Sequence, residues 1–179
     1  TMEPTILTHS GRYFDFTKPH EHDFQIEDIA KALSNICRFN GHCPFYSVAQ
    51  HSVAVSMLVP PEYAMEGLMH DAPEAYLGDV TAPLKMLLKD YGALEDATWT
   101  AIALRFGLTL QLHPSIKLAD LGMLKLERKK LFANDPGGEW SITQPIPCAP
   151  DHLLQWAAGP SQAEDMFLAR FKYLRAVCV

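Results

Sequence analysis

No apolar run in this chain approaches the ~18 residues that a membrane-spanning helix needs, so insertion through a helical segment is not expected. The first residues, Thr1 to Phe16, lack a basic stretch followed by an apolar one, and no secretory leader is read there. Thr1, ahead of Met2, is expected to be a remnant of expression. Cysteine is scarce: Cys37, Cys43, Cys148 and Cys178 form no CxxC pair and no regular spacing, which excludes a zinc ribbon and a disulfide framework. They are read as reduced thiols of a cytoplasmic protein. Positive charge is also short. The 15 Lys+Arg against 21 Asp+Glu leave a formal charge of −6, without the basic footprint of a nucleic-acid binder. Internal repeats and low-complexity tracts are missing as well.

What is present suits one ordinary domain over residues 1–179. A hydrophobic fraction of 48% against 20% charged residues supplies a real core, so disorder is not expected. Tyr13-Phe14-Asp15-Phe16 alternates as a small strand or hairpin arm does. Helical spacing follows. Ile29, Leu33 and Cys37 predict a helix over 25–38, with Asp23 available as its cap and Arg38 at its end. Ser47 to Val59 predicts a second helix, stopped by Pro60-Pro61, and Glu62 to His70 a third that can pack antiparallel to it. Leu84 to Leu88 reads as a short helical turn. Leu94, Ala97, Ala101 and Leu104 predict an amphipathic helix ending near Gly107. Ser115 is the expected cap of the next, whose apolar positions are Ile116, Ala119, Met123 and Leu126. Residues 135–150, rich in Pro and Gly, are a loop of a length that often forms a lid or binding segment. Ala163, Phe167, Phe171 and Leu174 mark a last helix. The fold class is therefore all-α: a bundle of about six helices, with a short β arm at its N-terminus.

Chemistry concentrates in His70-Asp71-Ala72-Pro73-Glu74. Adjacent imidazole and carboxylate groups can share a divalent ion where the backbone turns at a helix end, and Pro73 suits the start of a turn there. A solvated His-Asp pair at a helix end is the bland alternative. His51 lies one predicted helix upstream, where it could equally be a packed core histidine. Asp120 sits among small and apolar residues, where an unpaired charge costs several kcal/mol, roughly. Either a cation or a salt bridge to Lys117 or Lys125 would account for it. A helical bundle could bring all four side chains inward together.

The order His51, then His70-Asp71, then a distant Asp120 resembles the H…HD…D pattern of the HD-domain phosphohydrolases. The resemblance covers at least residues 38 to 120. It extends to segments like Arg38-Phe39, Gln50-His51-Ser52, His70 to Glu74 and Gly78-Asp79-Val80-Thr81-Ala82-Pro83-Leu84-Lys85, as in small bacterial 5′-deoxynucleotidases and phage-type deoxynucleoside triphosphate triphosphohydrolases. The short interval from His51 to His70 departs from longer relatives and leaves a compressed helix-turn-helix.

That resemblance implies an HD-domain fold and one or more divalent ions (Co, Mn, Zn, Fe, Ni or Mg) held by His51, His70, Asp71 and Asp120. Hydrolysis at the α-phosphorus of a nucleotide is the implied reaction, releasing a nucleoside with phosphate or triphosphate. Glu74, four residues after His70, would orient the attacking water or relay its proton. Asp79 resembles the carboxylate that acts near the leaving 5′ oxygen or the sugar, although on its own it is a common turn residue. Arg38 and Lys85 would hold phosphate oxygens, and Phe39 and Tyr46 could stack on a base or simply belong to the core. Of the remaining histidines, His42 is expected nearest the pocket. Oligomers are common in such families, so self-association is a further expectation. A non-catalytic nucleotide sensor that keeps the metal fold is the alternative to an enzyme, and retention of Glu74 argues against it.

Overall fold

The computed structural model describes residues 3–137, 140 and 145–177. Strands β1 (Thr5–Leu7) and β2 (Tyr13–Asp15) pair antiparallel with Ile6 opposite Phe14, giving the small N-terminal arm. Phe14 is fully buried, its ring 5.6 Å from Phe24 and 4.6 Å from Tyr76. The remaining regular elements of the described residues are helical. Five have ten residues or more: α1 (Ile26–Asn35), α2 (Val48–Leu58), α6 (Tyr91–Phe106), α7 (Pro114–Leu131) and α8 (Pro160–Val177). The others, α3 (Ala64–Met69), α4 (Glu74–Leu77) and α5 (Ala82–Lys85), are short.

Helix α2 is the axis of the bundle. Residues Val48 to Ser56 are all buried, because apart from Gln50 and His51 they are apolar or small, as suits a helix enclosed by others. Ser47 caps it, accepting the Gln50 N–H at 3.2 Å. Helices α1, α3, α7 and α8 surround it. The predicted antiparallel neighbours α2 and α3 do pack together, through a close approach at Gly67. A Cβ there would lie 3.0 Å from Val59 Cγ2 and 3.2 Å from Ser56 Cα. Arg170 on α8 donates to Ser56 Oγ and O, and Gln50 brackets Trp156 O and Ala158 N, which ties the C-terminal segment to α2.

Several local expectations are corrected. Helix α1 ends at Asn35 rather than 38, because Ile36 turns extended and Cys37 forms an isolated antiparallel bridge with Ser47. Asp23 does not cap α1: its carboxylate accepts the His20 N–H, closing the 3₁₀ turn Glu21–Asp23. Helix α7 is capped by His113, not Ser115, and the imidazole Nδ1 accepts the Ser115 N–H. Residues 138, 139 and 141–144 of the predicted 135–150 loop lie outside the described residues, as does Cys178. Residues 145–150 run irregularly along α7, with Ala149 N–H donating to Gly122 O and Lys125 to Ile146 O. No helix of the described residues is long and apolar enough to cross a membrane.

Candidate metal centre

The chain from Ala64 to Leu77 is almost one helix, tightened at its middle. Around the His-Asp dyad the bonds become i→i−3, with Ala72 N–H to Met69 O and Glu74 N–H to Asp71 O, as Pro73 has no N–H to donate. His70 is the C-cap of α3, so adjacent side chains leave the helix end toward α2 and α7. Gly78, at φ 81°, stops α4 with a conformation that a β-carbon would strain.

Three donors converge. The ligand atoms of His51, His70 and Asp120 all lie within 4.8 Å of one another, a cluster that could hold a metal ion. His51 Nε2 is 3.4 Å from Asp120 Oδ1. Asp71 flanks the cluster, with Oδ1 3.2 Å from His70 Nε2 and Oδ2 3.7 Å from His51 Nε2. Both Nε2 atoms are buried and without an aligned hydrogen-bond partner. The opposite ring nitrogens are committed: His51 Nδ1 is 2.5 Å from Glu127 Oε1, and His70 Nδ1 donates to Gly67 O at 2.8 Å. Anchoring Nδ1 to a carboxylate or carbonyl aims the Nε2 lone pair outward, the arrangement that imidazole ligands of metals use. The donor set, two nitrogens with carboxylate oxygens, therefore fits a metal ion.

Charges behind the cluster are matched. Glu127 is wholly buried and bonded by Arg38 Nε at 3.2 Å and Nη2 at 3.1 Å, while Arg38 Nη1 reaches 3.7 Å from Asp71 Oδ2. Burial and Arg38 push the His51 imidazole down, but Glu127 and Asp120 outweigh them and leave it at about 9. Burial raises Asp120, and His51, His70 and Lys117 more than reverse this, holding it well below the usual carboxylate range. Lys117 Nζ lies 2.8 Å from Asp120 Oδ2, so the anticipated salt bridge coexists with the cluster. Glu74 behaves oppositely. Burial, then Asp71 and Asp79, raise its carboxyl well above the ordinary value, and its Oε2 is buried without a partner. Burial also raises Asp79, against the pull of Arg38.

The other anticipated residues occupy more committed positions. Arg38 is buried and spends its guanidinium on Glu127 and Asp71 rather than facing solvent. Lys85 is paired with Glu95 at 2.6 Å, 5.2 Å from the Tyr91 ring centroid. Phe39, at φ 57°, packs its ring 5.1 Å from Phe132 and 5.7 Å from Trp140. Tyr46 is a core residue. His42 lines a separate cleft of about 490 Å³ with Phe132 and Trp140, not the one that reaches the His-Asp dyad. Glu127 escaped the sequence reading. Its signal was its position seven residues after Asp120, two turns along the same face of α7.

No family model matches the chain. It is 46% identical over 170 residues to the uncharacterized protein YfdR of Escherichia coli, with 94% of each chain covered. It is 37% identical over 181 residues to an uncharacterized protein of Rhodobacter capsulatus, with 92% of each covered. Identity at this level along nearly the whole length means that the chain belongs to one family with these two bacterial proteins.

Proposed function

We propose that this protein is an HD-domain, metal-dependent phosphohydrolase acting at the α-phosphorus of a (deoxy)nucleotide. One observation carries the reading: two buried imidazoles from separate helices turn unpartnered Nε2 atoms toward Asp120, each fixed from behind at Nδ1. His51, His70 and Asp120 would hold the ion, with Asp71 beside them as the fourth ligand. A divalent cation bound there acidifies water and offsets charge on phosphoryl oxygens.

The chain's own residues supply the rest. In the reaction a water oxygen bonds to the α-phosphorus, the bond from phosphorus to the 5′ oxygen breaks, and that oxygen takes a proton. Glu74, whose carboxyl is raised well above the ordinary value by burial and by Asp71 and Asp79, is the group that holds and exchanges this proton. Asp79, half-buried near Arg38, is suited to receive the sugar end of the substrate. Arg38 adds fixed positive charge behind Asp71, and Phe39 shapes the wall next to it. Lys85, half-buried against Glu95, is the basic group on the Glu74 side that would meet phosphate oxygens.

The test is a panel of deoxynucleoside mono- and triphosphates with Co²⁺, Mn²⁺ or Mg²⁺, resolved by chromatography. Nucleoside should be released with phosphate or triphosphate, and His70→Ala and Asp71→Ala should abolish release. Equal turnover in all three proteins would remove the catalytic claim, and a metal-stabilised protein without turnover would point instead to a nucleotide sensor.

A further inference from the structure

A cleft of about 240 Å³ opens beside the metal centre, between the end of α3 and the start of α7. Its lining joins His70, Asp71 and Asp120 to His113 and Lys117, with apolar residues around them. His70 aims into it. Its side chain is only 7% exposed, and its Nε2 has no hydrogen-bond partner.

His113 and Lys117 are its hydrogen-bond donors. His113 Nδ1 accepts the Ser115 N–H, so the neutral ring carries its proton on Nε2. Stacking on Tyr63, with centroids 3.9 Å apart and planes within 5°, fixes that ring in place. Lys117 uses one ammonium hydrogen on Asp120 Oδ2 and has two more to offer, its side chain being 70% exposed. Both residues belong to the N-terminal end of the 18-residue helix α7, where the helix dipole adds partial positive charge.

We infer that this cleft binds the phosphoryl groups beyond the one under attack, through His113 Nε2–H and Lys117, and so selects nucleoside polyphosphates over monophosphates. The inference rests on the proposed metal centre for the location of the reacting phosphorus. It adds two binding residues, His113 and Lys117, and assigns the phosphoryl chain that stays on the α-phosphorus to the α7 side of the site.

Calorimetric titration with inorganic triphosphate and with orthophosphate, protein and ligand both in the same excess of Mn²⁺, tests the cleft without turnover. Triphosphate should bind at least about tenfold more tightly than orthophosphate, the effect of one added charge-assisted hydrogen bond. His113→Asn, which can still cap α7, and Lys117→Met should each reduce that ratio several-fold. Equal affinities for the two anions in the wild type would overturn the inference, as would an unchanged ratio in both variants. If either variant fails to fold by circular dichroism, the wild-type ratio decides alone. Nucleotide turnover, measured separately, reports on the proposed function: triphosphate preference without turnover leaves the anion cleft standing and removes the hydrolase.

Discussion

Glu127 Oε1 lies 2.5 Å from Nδ1 of His51, and the same carboxylate receives two bonds from Arg38 through its other oxygen. A fully buried acid thus couples a candidate metal ligand to the cation behind Asp71. Removing a carboxylate that orients a ligating imidazole typically weakens metal binding by about 10–100-fold. Glu127→Gln should therefore lower Co²⁺ or Mn²⁺ affinity by that range in competition with a chromophoric chelator. Glu127→Ala should do more, because it leaves Arg38 buried and uncompensated, a loss of about 3–5 kcal/mol in stability. Wild-type affinity in Glu127→Gln would mean that the contact only packs the core.

His51 makes stability and metal binding respond to pH in opposite directions. Burial and Arg38 lower its pKa, yet Glu127 and Asp120 bring it from 6.5 up to about 9. A folded pKa above the unfolded one stabilises fully below about pH 6.5 and loses that contribution as pH rises through about 9. A metal needs the neutral ring, so its affinity should climb across the same window. Chelator-treated protein should lose thermal stability from pH 6.5 to 9, whereas protein in excess Mn²⁺ should keep its Tm or gain. Parallel curves with and without metal would sink this assignment.

Much of the site was legible because it violated local rules. Asp120 stood out as a charge within an apolar helical stripe, and His51 drew notice by its place one predicted helix upstream of the His-Asp dyad. Pro73 marked the place where a helix end could present His70 and Asp71 together. Glu127 broke the same rule as Asp120 but was hidden by its neighbours: next to Arg128, Lys129 and Lys130 it reads as part of a solvated charged run. Arg38 was misplaced for another reason. Its inward turn depends on the bridge between Cys37 and Ser47 and on Arg38 N–H reaching Tyr46 O. Those pairings join residues eight to ten apart across a loop, which helical periodicity does not encode. The caps of α1 and α7 failed for a local reason, a competing contact within three residues: Asp23 accepts the His20 N–H and His113 Nδ1 the Ser115 N–H.

Gly67 serves α3 twice, through the side chain it lacks and the carbonyl it offers. In a free helix Gly→Ala gains up to about 1 kcal/mol. Here the added carbon would sit 3.0 Å from Val59 Cγ2 and 3.2 Å from Ser56 Cα, and the second contact is backbone of the central helix, which cannot yield alone. Overpacking of this kind costs about 1–3 kcal/mol, so Gly67→Ala should be net destabilising. Because Gly67 O accepts from His70 Nδ1, the same shift should also loosen metal binding. Thermal unfolding and chelator competition on one preparation would check both effects. A higher Tm would show that the α2 and α3 contact is softer than its distances imply.

Glu74 separates stability from function. Burial, then Asp71 and Asp79, raise its carboxyl well above the ordinary value, so between the unfolded and folded values folding takes up a proton that the unfolded chain has released. A raised acid contributes destabilisation that begins near pH 4.5 and grows as pH rises toward the folded pKa. Glu74→Gln supplies a neutral group of the same shape without that proton uptake, and should raise Tm at pH 7 and flatten its pH dependence. If Glu74 exchanges a proton with the reacting groups, the same substitution should lower kcat by about 10²–10⁴-fold, the usual worth of a positioned acid or base. Metal content, measured by elemental analysis, should stay at the wild-type level, because Glu74 is outside the ligand set. A lower Tm would place the ionised form in the folded protein and reverse its proposed protonation, while a stable variant with full turnover would take Glu74 out of the reaction.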